Sequence, residues 1–371
     1  MATVISPYSD DCVPAVQAFN RRLAAVNGYG EFQFPETAAP ELPPGEGRRI
    51  FQEYFLATEN GDVRGAFMLR HQDFSFSGRI LPVAHYRLPV SEGVRDKTYA
   101  GVALQMLRKA LERQPLLFAI GMGGLDNPLP RFLKALGWAI TPVPFYFYAV
   151  RPAAFFRHVH AVRQTTARKA LADAVAVSGA GWAALKLMHG FRRGKRPGPF
   201  KWDIVAEFAE WADELWDRCA PAYAMAAARD SASLNLLYPR NDTRFVRVRV
   251  DIDGRAAGWA LLADKQMQRH RHFGGLRLGV IADCMAEPRY AAEVIAAATA
   301  ALHDRGVDLI ISNQLHGAWC AGLERAGYLG GPSNYGFAVS KQLGALVKPF
   351  EARVREIHIN RGDGDGLVNL S

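Results

Sequence analysis

Asn60-Gly61-Asp62-Val63-Arg64-Gly65-Ala66 and Asp253-Gly254-Arg255-Ala256-Ala257-Gly258-Trp259 are the two stretches that decide the fold. In the first, Asn60-Gly61 separates two apolar alternating runs, 51–57 and 66–69, which predicts a β-hairpin with its turn at that dipeptide. The second has the same form and the same four-residue step between glycines.

Working outward, each stretch is followed by a second shared signal. Leu133-Lys134-Ala135-Leu136-Gly137-Trp138 ends a helix at a glycine and leads to an aromatic strand over 145–150. Its counterpart is Leu323-Glu324-Arg325-Ala326-Gly327-Tyr328, followed by a strand over 335–339. Gly65 and Gly137 are 72 positions apart, Gly258 and Gly327 69. Two signals in one order at nearly one spacing indicate a structural unit used twice.

Between the signals the order of elements also repeats. A strand over 80–90 leads to a helix with apolar residues at Val102, Leu104, Leu107, Ala110 and Leu111, then to a buried strand over 116–121. In the second half a strand over 276–282 precedes a helical pattern over 291–302 and a strand over 307–312. The order predicts an α/β protein of two tandem units, each a mixed twisted sheet with helices on both faces. Helical patterning over 152–188 and 201–218, broken by the Gly- and Pro-containing loop 190–199, joins them. The domain reading is an N-terminal unit at 1–150, a basic helical connector at 151–240, a C-terminal unit at 241–345 and a tail at 346–371.

Composition excludes several classes. The chain has 371 residues, 49% hydrophobic and 22% charged, a globular profile rather than a disordered one. Its longest stretch without Asp, Glu, Lys or Arg, 135–150, has 16 residues and two prolines, too short and too broken for a membrane span. Cys12, Cys219, Cys284 and Cys320 show no metal-type spacing, and the first residues carry no secretory signal, so a cytoplasmic location with free thiols is expected. The net charge of +9 is concentrated: eleven basic residues against Asp173 alone give +10 between Arg151 and Lys201, leaving −1 elsewhere. Such a patch attracts phosphates of a cofactor, an acyl carrier protein or an anionic membrane surface, which makes a membrane-peripheral location compatible. Sparse aromatic interleaving argues against nucleic acid.

The element order resembles the GNAT acyltransferases (the GCN5-related N-acetyltransferase superfamily), in which a strand leads through a tight turn into a helix whose N-terminus holds the pyrophosphate of acyl-CoA. The family turn Gln/Arg-x-x-Gly-x-Gly/Ala is matched by Thr98-Tyr99-Ala100-Gly101-Val102-Ala103, with Thr98 at the Gln/Arg position and Arg95 and Lys97 just before it. The other copy, Arg289-Tyr290-Ala291-Ala292-Glu293-Val294, keeps the Arg and loses the small sites, so the first copy is the acyl-CoA candidate. The family ending Tyr-x-x-x-Gly-Phe is matched at 133–138 and 323–328, in both cases without the tyrosine that serves as general acid. Asn313 resembles the asparagine found at the end of the corresponding strand. As a tandem pair the chain is similar to Fem-type peptidyltransferases and to double-GNAT proteins of polysaccharide and lipid pathways, which end in a tail like Arg361-Gly362-Asp363-Gly364-Asp365-Gly366.

Polar residues collect in the second unit. Ser312-Asn313-Gln314-Leu315-His316 lies where a parallel strand hands over to a helix, and Gly331-Pro332-Ser333-Asn334-Tyr335 is a turn. His316 can act as base with Asn313 or Asn334 orienting substrate, or cap the helix. Ser312, Gln314, Asn334 and Tyr335 are candidates for substrate binding. Asp283 is an alternative base beside Cys284, and Tyr86, next to His85, is a candidate for the missing acid. The Gly121-Met122-Gly123-Gly124 loop supplies backbone freedom near the thioester. The Gly–Asp tail resembles part of a calcium loop but lacks its terminal glutamate, so no metal is expected. The resemblance implies an acyltransferase that moves an acyl group from acetyl-CoA or a longer acyl-CoA to an amine or hydroxyl of a small-molecule, saccharide or lipid acceptor. The alternatives are a non-catalytic GNAT-like scaffold and a transferase using acyl carrier protein or aminoacyl-tRNA as donor.

Overall fold

The computed structural model describes residues 3–26, 32–158, 198–268 and 273–364. The first half runs β1 (Val4–Pro7), α1 (Val13–Ala24), β2 (Phe51–Glu59), β3 (Asp62–Phe76), β4 (Arg79–Ser91), α2 (Val102–Arg113), β5 (Leu117–Gly121), α3 (Pro128–Ala135), β6 (Ala139–Pro142), β7 (Phe145–Ala149) and α4 (Pro152–His158). The second half runs β8 (Lys201–Val205), α5 (Glu210–Cys219), β9 (Met225–Ala227), α6 (Ser231–Leu237), β10 (Phe245–Ile252), β11 (Arg255–Gln266) and β12 (Arg277–Ala286). It continues with α7 (Ala291–Asp304), β13 (Leu309–Asn313), α8 (Gly317–Arg325), β14 (Leu329–Gly331), β15 (Gly336–Val339), α9 (Lys341–Leu346), α10 (Phe350–Arg353) and β16 (Ile357–His358).

The glycine pairs have a physical reason. Gly61 (φ 82°) and Gly254 (φ 76°) occupy the left-handed second positions of the two hairpin turns, after Asn60 and Asp253, which are themselves left-handed. Four residues on, the second glycine lets a helix lie against the strand. A Cβ on Gly65 would stand 2.7 Å from Met106 Sδ and 2.9 Å from Val102 Cγ1 of α2; one on Gly258 would collide with Val294 of α7. β2–β3 and β10–β11 both carry a register shift in the hairpin, at Ala57/Thr58 and Val250/Asp251. β3–β4 and β11–β12 both carry another, at Ala66/Met68 and Leu261/Leu262. Element order, glycines and bulges thus repeat together, which is the tandem α/β architecture the sequence implies.

Two features differ from the sequence reading. First, the closing strands are exchanged. β7 leaves the first half and pairs with β13 and β14, giving a seven-stranded sheet B in the order β14-β7-β13-β12-β11-β10-β8. β15 returns to pair with β5 and β6 in sheet A, ordered β1-β2-β3-β4-β5-β15-β6 with β9 and β16 added beside β3. The aromatic pattern specifies a buried strand but not its partner; Tyr146 finds Glu324 of α8 (2.8 Å) and Tyr148 packs on Tyr328. Second, the pattern read as helical from Lys201 begins as a strand. β8 pairs with β10 as β1 pairs with β2, and the helix starts only at Glu210. Most of the basic stretch, 159–197, lies outside the described residues.

The described part of the tail, as far as Gly364, is part of the core. Ile357 and Ile359 are buried with Phe74, Phe118 and Phe337 of sheet A, and Asn360, Gly362 and Asp363 are buried too. On the opposite face of sheet A, α2 and α3 cover Phe55, Phe67, Leu69, Tyr86 and Ala119. Among the described residues no helix is long and apolar enough to cross a membrane.

Candidate functional site

In sheet A the parallel pairing of β4 with β5 lasts only two residues, Ala84 with Leu117 and His85 with Phe118. Beyond it β5 keeps β15 as partner, Gly336 facing Gly121, while β4 runs on to Ser91 without a ladder to β5. The strands therefore part and leave an opening between their C-terminal ends. The register shift in β3–β4 sets Leu88 and Pro89 against Phe67 beside that opening. Proline has no N–H, so position 89 of the bulge cannot donate to the β3 ladder.

Backbone strain concentrates at the same place. Among the described residues five non-glycines have positive φ; Asn60, Ser77 and Asp253 are turn residues of hairpins, and the other two are Leu88 (43°) in β4 and Met122 (49°) just after β5. Left-handed backbone costs such side chains about 1–2 kcal/mol each, and strain of this kind persists where the surroundings enforce it. Gly121, Gly123 and Gly124 are also left-handed, so the whole 121–124 turn is built on positive φ. At the matching bulge of sheet B neither Ala282 nor Asp283 has positive φ.

The N-terminus of α2 lies beyond the bulge. Lys97–Tyr99 forms a 3-10 turn capped by Asp96, whose carboxylate accepts from Thr98 N (2.9 Å) and from the Thr98 hydroxyl (2.7 Å). Gly101 has no side-chain cap, and a Cβ there would meet no atom within 4 Å. Arg95, Lys97, Thr98, Ala100 and Gly101 are exposed, Ala103 is partly buried, and Val102 turns inward against Gly65. A pocket lined by Thr98, Tyr99, Gly101, Val102 and Gln105, together with Thr3 and Glu59, lies at this terminus. Buried Glu92 is met by Arg22 (2.7 Å), Arg64 (2.8 Å) and Arg95 (3.5 Å), and Arg64 also meets Asp62 (2.9 Å) and Glu59 (3.9 Å), so the charges beside this terminus largely pair with one another. The matching terminus of α7 is covered: Ala291 is buried, and α8 lies so close that a Cβ on Gly322 would sit 3.3 Å from the Ala291 carbonyl.

Sheet B has the same opening, filled by the chain itself. Pairing of β12 with β13 ends at Ile281 with Ser312, and the tail enters there: Gln314 bridges to Asn360 and Leu315 N–H donates to Ile359 O at 3.0 Å. Asp283 is fully buried, ion-paired to Arg229 (2.9 Å) and accepting from the Tyr238 hydroxyl (2.8 Å), Asn360 Nδ2 (2.9 Å) and Cys284 N–H (2.9 Å). All its acceptor capacity is committed, which leaves it a structural ion rather than a base reachable by substrate.

The other candidates separate in the same way. His316 caps α8, its Nδ1 accepting from Ala318 N–H at 3.1 Å; burial and then Arg355 pull its pKa down to about 4. Its capping role is the one the geometry shows. Ser312 and Gln314 are buried around Cys284, whose thiol pKa burial raises well above its ordinary value. Tyr86 packs against Phe67 under α2 and is buried, and burial raises its pKa, so it does not face the opening as an acid. His85 stacks on Phe118, and burial holds it well below the ordinary histidine range.

Asn313, Asn334 and Tyr335 are brought together with sheet A. Because β15 crosses over, the turn before it stands at the end of β5: a Cβ on Gly121 would lie 3.2 Å from Tyr335 Cε2, and one on Gly124 4.0 Å from Asn334 Cβ. Asn313 Nδ2 leans on Val143 O (3.5 Å) and Pro144 O (3.4 Å), aiming Oδ1 at Arg361 Nε, 2.8 Å away. Residues that the sequence reading passed over complete the centre: Arg229, Tyr238, Leu88, Asn360, Arg361 and Asp363. Asn360 and Asp363 form a reciprocal capping box around the turn 361–363. The only sequence signal for them was a Gly–Asp alternation, whose glycines are required by packing: a Cβ on Gly362 would lie 2.6 Å from Asp283 Oδ2, and one on Gly364 would collide with the Tyr335 hydroxyl.

No protein-family model matches the chain. No curated protein matches it in sequence. In structure it is similar to a probable N-acyltransferase of Enterococcus faecalis V583, with TM-score 0.50 and 10% identity over 93% of this chain and 74% of that one. It is also similar to Saccharomyces cerevisiae N-myristoyltransferase with bound myristoyl-CoA, with TM-score 0.52 and 9% identity over 91% of this chain and 79% of that one. A GCN5-related N-acetyltransferase of Anabaena variabilis matches with TM-score 0.50 and 10% identity over 91% and 72%. With its repeated bulges and its parted central strands, the chain has a tandem GNAT-like fold whose closing strands are exchanged between the two sheets.

Proposed function

We propose that the protein is an acyl-CoA-dependent acyltransferase with its donor site in the sheet A opening and an amine or hydroxyl acceptor. The observation that carries this reading is the pairing of two strained residues, Leu88 and Met122, on the two strands that part, in one of the two sheets only. The structural neighbours act or bind in accord with it: one is a probable N-acyltransferase and another holds myristoyl-CoA. Acetyl-CoA or a longer acyl-CoA would lie with its pyrophosphate on the Gly101 end of α2, where helix N–H groups and the macrodipole favour an anion. Its thioester would reach the bulge, where in this reading the Leu88 N–H would donate to the carbonyl oxygen as negative charge develops. The acceptor nitrogen or oxygen attacks the carbonyl carbon, its proton passes to water, the C–S bond breaks, and the sulfur takes a proton from an acid that water then recharges. Tyr335, standing at Gly121, is our candidate for protonating that sulfur in place of the tyrosine missing from 133–138 and 323–328.

Calorimetric titration with acetyl-CoA tests the donor site. Wild type should bind one equivalent, Gly101→Glu should bind none while keeping its circular dichroism, and Ala292→Glu at the covered α7 terminus should bind as wild type does. Unimpaired binding by Gly101→Glu would place the donor elsewhere.

A further inference from the structure

Arg361 is a partly buried cation placed at the boundary of the two sheets, and nothing in the proposed donor chemistry uses it. Its Nε donates to Asn313 Oδ1 at 2.8 Å, and its guanidinium lies 5.8 Å from the centroid of the Tyr335 ring. Among the described residues its Nη groups have no hydrogen-bond partner and no carboxylate lies within ion-pair distance. Of the described carboxylates in this network, all are already committed: Asp363 Oδ1 to Arg229 (2.6 Å), Asp363 Oδ2 to Asn360 N–H (2.9 Å), and Asp283 to Arg229, Tyr238 and Asn360. The guanidinium is also fixed in direction. Asn313 is held by Val143 O and Pro144 O, and Gly362 and Gly364 allow the tail to lie against Asp283 and Tyr335, so the arginine enters on a rigid turn rather than a loose end. Tyr335 in turn stands at Gly121, beside the opening in sheet A.

A partly desolvated cation whose Nη/Nη edge is unengaged is a receptor for an anion of matching shape, and that edge matches a carboxylate with two parallel hydrogen bonds. We propose that Arg361 anchors the acceptor by its carboxylate, so that the acceptors of this enzyme are amines or hydroxyl compounds that also carry a carboxylate, as amino acids and hydroxy acids do. A single guanidinium balances the one negative charge of a carboxylate better than the near two of a phosphate monoester. The proposal rests on the donor site being in sheet A, and it deepens that reading by naming the acceptor class.

The test uses the full chain with acetyl-CoA bound. Amino acids and hydroxy acids, each beside its carboxamide and each beside a phosphate monoester of similar size, are screened by thermal shift and by release of CoA thiol. Wild type should respond to members of the carboxylate series, with affinity falling about 10- to 100-fold for the matching carboxamide, the worth of a charge-assisted pair. Arg361→Gln should lose that discrimination while binding acetyl-CoA with unchanged affinity, and Arg361→Lys should restore part of it. Should Arg361→Gln not fold, protection of Arg361 in wild type from phenylglyoxal by the best carboxylate, read by peptide mass spectrometry, replaces it. The proposal is overturned by a response to carboxamides or phosphate esters equal to that of the acids, by no response to any carboxylate, by carboxylate binding that survives in Arg361→Gln, or by no protection. Loss of acetyl-CoA binding in wild type would instead strike the donor reading, so the two failures are distinguishable.

Discussion

Arg229 and Asp363 are 134 positions apart in the chain and joined by a 2.6 Å hydrogen bond from Nη2 to Oδ1 in the interior. Asp283 of β12 takes the same arginine at 2.9 Å, and Arg70 of β3 donates to the Asp363 carbonyl at 2.6 Å. One buried cluster therefore ties sheet A, sheet B and the tail. Burial alone would lower the Arg229 pKa, but Asp283 and Asp363 outweigh it and hold the guanidinium charged. The tail is the element that closes the second opening, and this cluster is its lock.

Removing one partner of a buried ion cluster leaves the rest uncompensated. Arg229→Ala, at 1% exposure, should lower stability by about 3–5 kcal/mol, measured as a shift of the urea midpoint. The triple change Arg229→Met, Asp283→Asn, Asp363→Asn should cost less than the sum of the single changes. A single-variant loss below that of an ordinary surface change would mean the cluster is solvated.

Gly258 should be intolerant where Gly254 is tolerant of little but for a different reason. A Cβ on Gly258 collides with Val294 and lies 2.8 Å from the Met285 carbonyl, so Gly258→Val overpacks the α7 interface, and about 1–3 kcal/mol or more is expected. Gly254→Ala meets no atom within 4 Å but must hold φ 76°, so its cost is backbone strain of about 1 kcal/mol. Thermal melts of the two variants, with Val294→Ala as a partial rescue of Gly258→Val only, separate packing from strain.

The repeat was legible because its signals are local: Asn60-Gly61 and Asp253-Gly254 set turns, and Gly65 and Gly258 admit helices by short-range sterics. The exchange of β7 and β15 was not, since Phe145–Ala149 and Gly336–Val339 are both short buried strands and hydrophobic patterning fixes a face, not a neighbour. The site divided along the same line. The uncapped helix start at Gly101 follows from the local turn pattern, whereas Asn334 and Tyr335 reach sheet A only through the exchange, and Arg361 reaches Tyr335 only through a tail whose Gly–Asp alternation does not reveal that its glycines pack against Asp283 and Tyr335.

Buried imidazoles make the fold acid-sensitive. His358 is fully buried against Tyr223 and Trp319, and burial, then Arg229, lower its pKa to about 3; that of His316, also packed against Tyr223, is about 4. Both folded values lie below the unfolded value of about 6.5, so the unfolded chain binds more protons in between. Stability is complete above pH ~6.5 and falls as pH drops toward 4, by up to about 1.4 kcal/mol per pH unit for each histidine. Urea midpoints from pH 7.5 to 4.5 should therefore decline less steeply in His358→Leu than in wild type; parallel slopes would show that His358 is not the group responsible.

Tyr335 is the residue on which the proposed chemistry depends most. Its ring stands over Gly121 at the end of β5, and its hydroxyl approaches Gly364 of the tail. If the hydroxyl protonates the departing sulfur, Tyr335→Phe should reduce kcat by about 10²-fold or more, with acetyl-CoA affinity unchanged. The ring is kept, so the stacking beneath Arg361 and the carboxylate discrimination should survive. A purely structural tyrosine would show the reverse: a lowered melting temperature, altered acceptor KM and near-normal kcat. Acyl donors with a leaving thiol of lower pKa provide the decisive comparison, because a better leaving group needs less protonation. Their rates should fall less in Tyr335→Phe than those of acetyl-CoA, and an equal fall for both would remove Tyr335 from the proton path.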